Sequence, residues 1–270
     1  MLLQSNIFKR ALAERRKQLG LWITLSTAFA VEVVAETGYD WLLLDTEHSP
    51  GDVLTVLAQL QALSGYPVHP VVRPASNDQV LIKRYLDFGV RTFLIPFVQN
   101  AQDARAAVSS IRYPPRGIRG VSALTRATQF GRIKDYFERI EQEVCLLVQI
   151  ETEQALENIE EIAAVDGVDG IFIGPADLAA SMGLIGQPGH PRVLDAVAEA
   201  LKRINAADRP AGILSSDKAF AKQCLDLGAD FVAIGIDVAI LARGAELLAN
   251  EFRRHLEGPS HPEEPPCRTA

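Results

Sequence analysis

Residues 68–95, VHPVVRPASNDQVLIKRYLDFGVRTFLI, contain the pattern that decides the fold. The apolar run Val68–Val72 predicts a strand that is buried on both faces, and Arg91–Ile95 predicts a second one. Between them, apolar residues recur at helical spacing over Gln79–Phe88, and Gly89 follows as a typical helix end. Two buried strands joined by a helix form a parallel unit, so this stretch indicates an α/β protein.

The same alternation extends through most of the chain. Further strands are predicted at Trp22–Leu25, Trp41–Leu44, Cys145–Ile150, Gly170–Ile173, Ala211–Leu214 and Phe231–Ile234. Further helices are predicted at Ala30–Thr37, Val53–Ser64, Ala101–Ile111, Ala155–Ala164, Pro191–Ala206, Lys218–Leu227 and Val238–Leu256. This rhythm predicts a single (β/α)8 barrel, a TIM barrel, over residues 1–256, followed by a flexible proline-rich tail at 257–270. A doubly wound open sheet is the alternative, but no glycine-rich dinucleotide turn follows the first strand.

Composition excludes several classes of function. The net charge of −7 argues against a general binder of nucleic acid or of anionic membranes, which needs a basic face. Three cysteines at wide spacing, Cys145, Cys224 and Cys267, disfavour a disulfide framework or a thiolate metal site and fit a reducing cytoplasm. The amino-terminal residues do not resemble a secretory signal, and no apolar run approaches the length of a membrane span. We therefore expect a cytoplasmic globular protein.

Chemically capable side chains collect where predicted strands end. They are Asp45, Glu47, His48, Arg73, Gln149, Glu151 and Asp177. In a (β/α)8 barrel the carboxyl ends of all strands meet at one rim, which is where such enzymes place their active sites. The sequence therefore predicts an enzyme.

The residue types restrict the reaction. Glu151 and Asp177, on neighbouring strands, suit a hard divalent ion such as Mg²⁺ or Mn²⁺. Alternatively, either carboxylate could cap a helix, or Glu151 could pair with an arginine. Arg73 could hold a carboxylate or a developing enolate, or form an ion pair with Asp45 or Glu47. Among five histidines, only His48 is predicted at the rim, where it could act as a base near neutral pH.

Two further patterns bear on the substrate. None of the seven lysines lies within a predicted strand, which disfavours a Schiff-base mechanism. The longest interruption of the repeat, residues 112–142, contains Arg116, Arg119 and Arg126, which could meet a second carboxylate on an aldehyde product. Alternatively, these arginines only solvate the loop or make subunit contacts. Leu214 and Ser215 are expected to border the mouth of the site.

Four motifs, in this order, resemble those of the HpcH/HpaI aldolase family. They are Trp41–His48 (WLLLDTEH), Tyr113–Gly120 (YPPRGIRG), Gln149–Thr152 (QIET) and Ile173–Leu178 (IGPADL). The resemblance covers the chain from about Leu19 to Phe252. Some members have glycine where Thr46 stands, a departure that touches no proposed catalytic group.

The resemblance implies a class II pyruvate aldolase that cleaves 4-hydroxy-2-oxo acids, such as 4-hydroxy-2-oxoheptanedioate or 2-keto-3-deoxy-sugar acids, to pyruvate and an aldehyde through a metal-bound enolate. It also implies a barrel of the phosphoenolpyruvate/pyruvate type, a last helix exchanged between subunits, a hexamer built as a trimer of dimers, and a role in aromatic-compound catabolism.

The resemblance also assigns roles to individual residues. Glu151 and Asp177 match the ligands of Mg²⁺, Mn²⁺ or Co²⁺, Arg73 matches the enolate-binding arginine, and His48 matches the base. Gln149 and the amides of Gly174 and Ala176 match the pyruvate-binding groups, and Asp87 matches an acid that orients the histidine, from this subunit or a neighbouring one. Asp45 and Glu47 match supporting positions.

Other functions on the same scaffold stay open at this point. A CoA-ester lyase or a decarboxylating enzyme would also form an enolate, although a CoA lyase needs a nucleotide site for which the sequence indicates no extra domain. A barrel without activity, serving as a binding protein, would not need the acids, the base and the arginine together.

Overall fold

Eight parallel strands close into one barrel in the computed structural model, which describes residues 2–257. The strands are β1 (Gln18–Ile23), β2 (Trp41–Asp45), β3 (His69–Arg73), β4 (Thr92–Ile95), β5 (Cys145–Ile150), β6 (Gly170–Ile173), β7 (Ala211–Leu214) and β8 (Phe231–Ile236). Each strand pairs with the next in the chain, and β8 pairs with β1. The predicted (β/α)8 barrel is confirmed and the open sheet is excluded. The predicted tail, with Cys267, lies outside the described residues except for Glu257.

Twelve α-helices are found within residues 2–257. They are α1 (Ile7–Ala13), α2 (Ala28–Val34), α3 (Val53–Ala62), α4 (Gln79–Asp87), α5 (Ala101–Ile111), α6 (Tyr136–Glu143), α7 (Glu153–Glu157), α8 (Ile159–Ala163), α9 (Pro175–Ser181), α10 (Pro191–Ala206), α11 (Lys218–Asp226) and α12 (Asp237–Glu257). The helix predicted over Ala155–Ala164 is divided at Asn158 into α7 and α8. The short helices α1, α6 and α9 were not predicted, because each is too short to show a clear apolar period.

Side-chain caps explain where several helices begin. Asp52, Asp78 and Asn100 each precede a helix and accept hydrogen bonds from backbone amides of its first turn. These amides have no partner inside the helix, so a capping oxygen stabilises the helix start by about 1 kcal/mol. The caps set the points at which α3, α4 and α5 leave the loops at the rim.

Large side chains fill the barrel interior. Alternate strand residues point inward, and the resulting core includes Trp22, Trp41, Phe172 and Phe231. From the amino-terminal end, Phe8 on α1 packs against Trp41 and Phe231. Helix α1 therefore closes the end of the barrel opposite the predicted rim, and the polar site can open only at the other end.

The last helix, α12, leaves the barrel. Its first residue, Asp237, is buried and accepts hydrogen bonds from the amides of Thr24 and Leu25 at 2.8 and 3.1 Å. Beyond that anchor its large apolar side chains are exposed, namely Val238, Ile240, Leu241, Leu247, Leu248, Phe252 and Leu256. No helix within residues 2–257 has the length and apolar character needed to cross a membrane.

Candidate active site

A buried ion pair joins the ends of β2 and β3. Register pairs Asp45 with Arg73, and the guanidinium donates two parallel hydrogen bonds to the carboxylate, from Nε at 2.9 Å and from Nη2 at 2.7 Å. The ring of Trp22 lies under the guanidinium, 4.9 Å from ring centre to Cζ, and its Nε1 donates to Asp45 at 3.2 Å. Arg73 therefore has a fixed orientation, because it is held on one edge and on one face.

Glu47 contacts the same guanidinium from another side. Its Oε2 lies 2.8 Å from Arg73 Nη1. Burial raises the pKa of Glu47, and the negative charges of Asp45 and Asp177 add to this effect, while Arg73 opposes it. Burial also disfavours the charged form of Asp45, but its bonds to Arg73 outweigh burial and lower its pKa. Asp45 is thus the anion that neutralises Arg73, and Glu47 is the more readily protonated of the two.

Glu151 directly follows β5 and is buried. It is 3% exposed. Its Oε1 accepts a hydrogen bond from the amide of Phe97 at 2.8 Å, and its Oε2 accepts from Gln149 Nε2 at 2.5 Å. Phe97 has a φ of +54°, a rare conformation for a non-glycine residue that aims its amide at the carboxylate. Burial, together with the nearby charges of Asp177 and Glu47, raises the pKa of Glu151 to about 7.

Gln149 has one polar atom without a partner. Its amide nitrogen is used by Glu151, while its Oε1 is buried and makes no hydrogen bond within the described residues. An unpaired buried acceptor is costly, so its presence marks a position where a ligand donor or an ion would be bound.

Gly174 and Asp177 complete the site from β6 and α9. A Cβ atom at Gly174 would lie 2.7 Å from Glu151 Oε2 and 3.0 Å from Gln149 Nε2, so only glycine leaves both side chains in place. The Gly174 amide donates to Ile150 O at 3.0 Å, and binding of pyruvate by this amide stays a prediction. Ala176 lies in the first turn of α9, where amides have no partner in the helix.

A cavity of about 320 Å³ opens among these residues. It is lined by Trp22, Thr24, Asp45, His48, Arg73, Gln149, Phe172, Gly174, Pro175, Ala176, Asp177, Leu214, Ile236 and Val238. Leu214 borders it as predicted, whereas Ser215 does not line it. His48 is exposed at its edge, and no side chain within residues 2–257 forms a hydrogen bond or ion pair with it. Trp22, Phe172 and Val238 were not predicted as site residues, since they read as core or helix residues.

The donor set fits a hard cation. Glu151 and Asp177 supply carboxylate oxygens close enough to influence each other's charge, and no group of three acidic, histidine or cysteine ligands occurs within residues 2–257. Mg²⁺ and similar ions commonly bind through one or two carboxylates and keep other positions for water and substrate. Two protein carboxylates beside the unpaired Gln149 oxygen match that pattern.

Asp87, predicted in the site, and the three loop arginines, for which a role at the site was one of two interpretations, lie away from the rim. Asp87 ends α4, at the amino-terminal end of the barrel, with its carboxylate 3.6 Å from Arg119. Arg119 is buried and donates to Tyr136 Oη at 3.0 Å. Arg116 pairs with Glu141 at 2.9 Å, and Arg126 donates to the Phe88 carbonyl at 2.6 Å. Within one chain, therefore, none of these three arginines lines the cavity at the rim, and Asp87 forms no contact with His48.

Comparison with known proteins places this arrangement in a family. The model of the HpcH/HpaI aldolase/citrate lyase family matches residues 18–243. The chain belongs to the HpcH/HpaI aldolase/citrate lyase family. It is 60% identical over 252 residues to a pyruvate aldolase of Rhizobium etli, covering 93% of this chain and 99% of that protein. It is 53% identical to a 4-hydroxy-2-oxo-heptane-1,7-dioate aldolase of Salmonella dublin, covering 94% and 98%.

A solved structure of the same family has the same fold. The HpcH/HpaI aldolase/citrate lyase family protein of Burkholderia cenocepacia superposes with a TM-score of 0.89 at 38% identity, covering 93% of this chain and 100% of that one. The predicted family is confirmed, and so is the prediction of an aldolase, a carbon–carbon lyase acting on small molecules.

Proposed function

We propose that this aldolase cleaves 4-hydroxy-2-oxo acids to pyruvate and an aldehyde with the help of a bound divalent ion, Mg²⁺, Mn²⁺ or Co²⁺. The observation that carries the proposal is a small cavity lined by a rigidly held guanidinium, Asp177 and Gln149, with the buried Glu151 hydrogen-bonded to Gln149. Arg73 supplies a fixed positive charge for a developing enolate, and Glu151 and Asp177 supply hard ligands. The relatives named as aldolases support the same reaction.

Pyruvate would be held by groups from three strands. Arg73 would bind the enolate oxygen or the carboxylate, and the Ala176 amide would donate a hydrogen bond. The unpaired Oε1 of Gln149 would accept from a ligand hydroxyl or water, or would face the ion. Glu151 and Asp177 would hold the ion, which when bound supplies Lewis acidity at the 2-oxo acid. Trp22 and Asp45 keep Arg73 in place, so its charge needs no reorientation during the reaction.

His48 would move the proton. It takes the proton of the 4-hydroxyl as the C3–C4 bond breaks, the hydroxyl carbon becomes the aldehyde carbonyl, and the bonding electrons pass to C3 to form the enolate of pyruvate. Protonation of C3 then yields pyruvate. His48 is exposed at the edge of the cavity, where it can meet both the 4-hydroxyl and water.

Assembly would complete the site. We propose that Asp87 of a neighbouring subunit orients His48, because Asp87 of the same chain lies at the other end of the barrel. The exposed apolar face of α12 supports exchange of this helix between subunits, and a hexamer arranged as a trimer of dimers would bring both contacts together.

The test measures pyruvate released from a panel of 4-hydroxy-2-oxo acids, together with exchange of the methyl protons of pyruvate in D2O. Both activities should disappear after chelation with EDTA and return with Mg²⁺, Mn²⁺ or Co²⁺. Activity that survives chelation, together with a covalent enzyme–substrate adduct trapped by borohydride, would point to a lysine Schiff base and contradict the proposal. Exchange of the pyruvate protons without cleavage of any acid in the panel would indicate a different enolate-forming lyase.

A further inference from the structure

A second cavity, larger than the one at the rim, lies elsewhere in the described chain. It has a volume of about 900 Å³ and lies where the amino-terminal segment meets the long loop, near the start of β4. We call it the basal cavity. Its lining consists of Leu2, Leu3, Gln4, Gly89, Arg91, Arg126, Ala127, Gln129, Phe130, Arg132, Ile133, Tyr136 and Ile140. None of these residues lines the cavity that contains His48 and Arg73.

The charged residues of the basal cavity all have one sign. Arg91, Arg126 and Arg132 line it, whereas no aspartate or glutamate among residues 2–257 does. None of the three guanidiniums lies within 4.0 Å of a carboxylate oxygen in that part of the chain. Glu143 is the acidic group that acts on Arg91 from a greater distance. The chain as a whole is acidic, with a net charge of −7, so this local excess of positive charge is not a consequence of composition.

Two of these arginines are partly withdrawn from water. Arg91 and Arg126 are half-buried, and burial lowers the pKa of both. Arg91 donates from Nη1 to the Gln4 carbonyl, and Arg126 donates from Nη1 to the Phe88 carbonyl and, at 3.5 Å, from Nη2 to the Leu60 carbonyl. A guanidinium has five N–H donors, so most donors of both residues remain for a further partner. Half-buried positive charges that lack an anion are unfavourable, and an anion bound between them would relieve this cost.

The remaining wall is apolar. Leu3, Ile133, Tyr136 and Ile140 are buried, and Phe130 is exposed beside them. Charge on one side and apolar surface on the other match an amphipathic molecule better than a bare inorganic ion. We propose that the basal cavity binds a small organic anion, in which a carboxylate or phosphate group meets Arg91, Arg126 and Arg132 and an apolar body packs on Ile133 and Phe130. Within one chain the basal cavity shares no lining residue with the cavity that contains His48 and Arg73.

The proposal is tested by isothermal titration calorimetry on the full chain after metal chelation. The probes are phenyl phosphate, benzoate, inorganic phosphate and benzyl alcohol. We expect saturable binding of phenyl phosphate or benzoate, weaker binding of inorganic phosphate, and none of benzyl alcohol. Which of the two aromatic anions binds more tightly identifies the head group. Absence of saturation by both at about 10 mM would overturn the proposal, because it corresponds to an interaction of less than about 3 kcal/mol.

Variants locate the binding. Arg126→Gln and Arg132→Gln should each weaken the bound probe about 10-fold or more, since each removes a charge-assisted hydrogen bond. Arg132 is exposed, and within residues 2–257 its guanidinium donates only to the Gln129 carbonyl, so its variant tests the site even if Arg126→Gln fails to fold. Arg105→Gln, an exposed arginine of α5, is the matched control and should leave the affinity unchanged.

A last variant separates the basal cavity from the active site. Arg73→Lys should bind the probe as the wild type does, whereas loss of binding in Arg73→Lys alone would place the probe at the rim and overturn the proposal. Equal affinity in wild type, Arg126→Gln and Arg132→Gln would overturn it as well. If the wild type binds no probe and Arg126→Gln sediments as a smaller assembly than the wild type, these arginines belong to a subunit contact instead, and the proposal is overturned.

Discussion

Replacing Gly174 with alanine should damage catalysis while leaving the barrel folded. The added Cβ would lie 2.7 Å from Glu151 Oε2, so the two groups must separate by about 0.7 Å to reach an ordinary contact. Glu151 cannot retreat freely, because it is buried and its other oxygen is held by the Phe97 amide. Displacements of this order at reacting groups cost about 10²-fold in rate, so kcat/KM should fall by about that factor, or about 2.7 kcal/mol.

The assay is pyruvate release from a 4-hydroxy-2-oxo acid at saturating divalent ion, with a metal titration for each variant. Gly235→Ala in β8 is the matched control, since its Cβ would meet Leu21 and Ile240 at ordinary distances of 3.4 and 3.5 Å. We expect the control to keep wild-type activity. Overpacking should lower the free energy of unfolding of Gly174→Ala by only about 1–3 kcal/mol. If Gly174→Ala retains wild-type kcat/KM and metal affinity, the close approach to Glu151 has no catalytic importance.

Three other changes give distinct outcomes. Arg73→Lys keeps the charge but loses the paired hydrogen bonds to Asp45, so kcat/KM should fall by about 10²-fold in the pyruvate assay; an unchanged value would contradict a directional role. His48→Ala should lower kcat by about 10²–10⁴-fold with the metal affinity measured by titration unaltered, and near-normal turnover would remove it as the base. Burial lowers the pKa of His69 to about 3, so below about pH 6.5 the unfolded chain binds a proton that the native chain does not. The free energy of unfolding should therefore decrease as the pH is lowered. Measured by urea unfolding between pH 4 and 6, its slope against pH should be smaller in His69→Gln than in the wild type by about 1.4 kcal/mol per pH unit; equal slopes would refute this.

Much of the fold could be predicted because strand burial is periodic and local. Cys145–Ile150, Gly170–Ile173 and Ala211–Leu214 have the same bounds in the structure as in the prediction. Helix α1 was missed, since its seven residues carry too little periodicity, and its role depends on Phe8 meeting residues more than 30 positions away. Packing of a helix into the end of a barrel can be recognised only once the barrel is formed in three dimensions.

The sequence by itself determined the strand–helix order, the family, and the types of side chain at the strand ends, because each depends on residue identity and on spacing along the chain. Only the tertiary structure decided how those side chains act on one another. It showed Arg73 held by Asp45, Glu151 held by the Phe97 amide, and the Gly174 amide already occupied. Within one chain it also separated Asp87 and Arg119 from the site, and it placed Arg91, Arg126 and Arg132 around another cavity. Hydrogen bonds and burial depend on spatial distances between residues that are far apart in the chain. The spacing of residues along the sequence does not determine those distances.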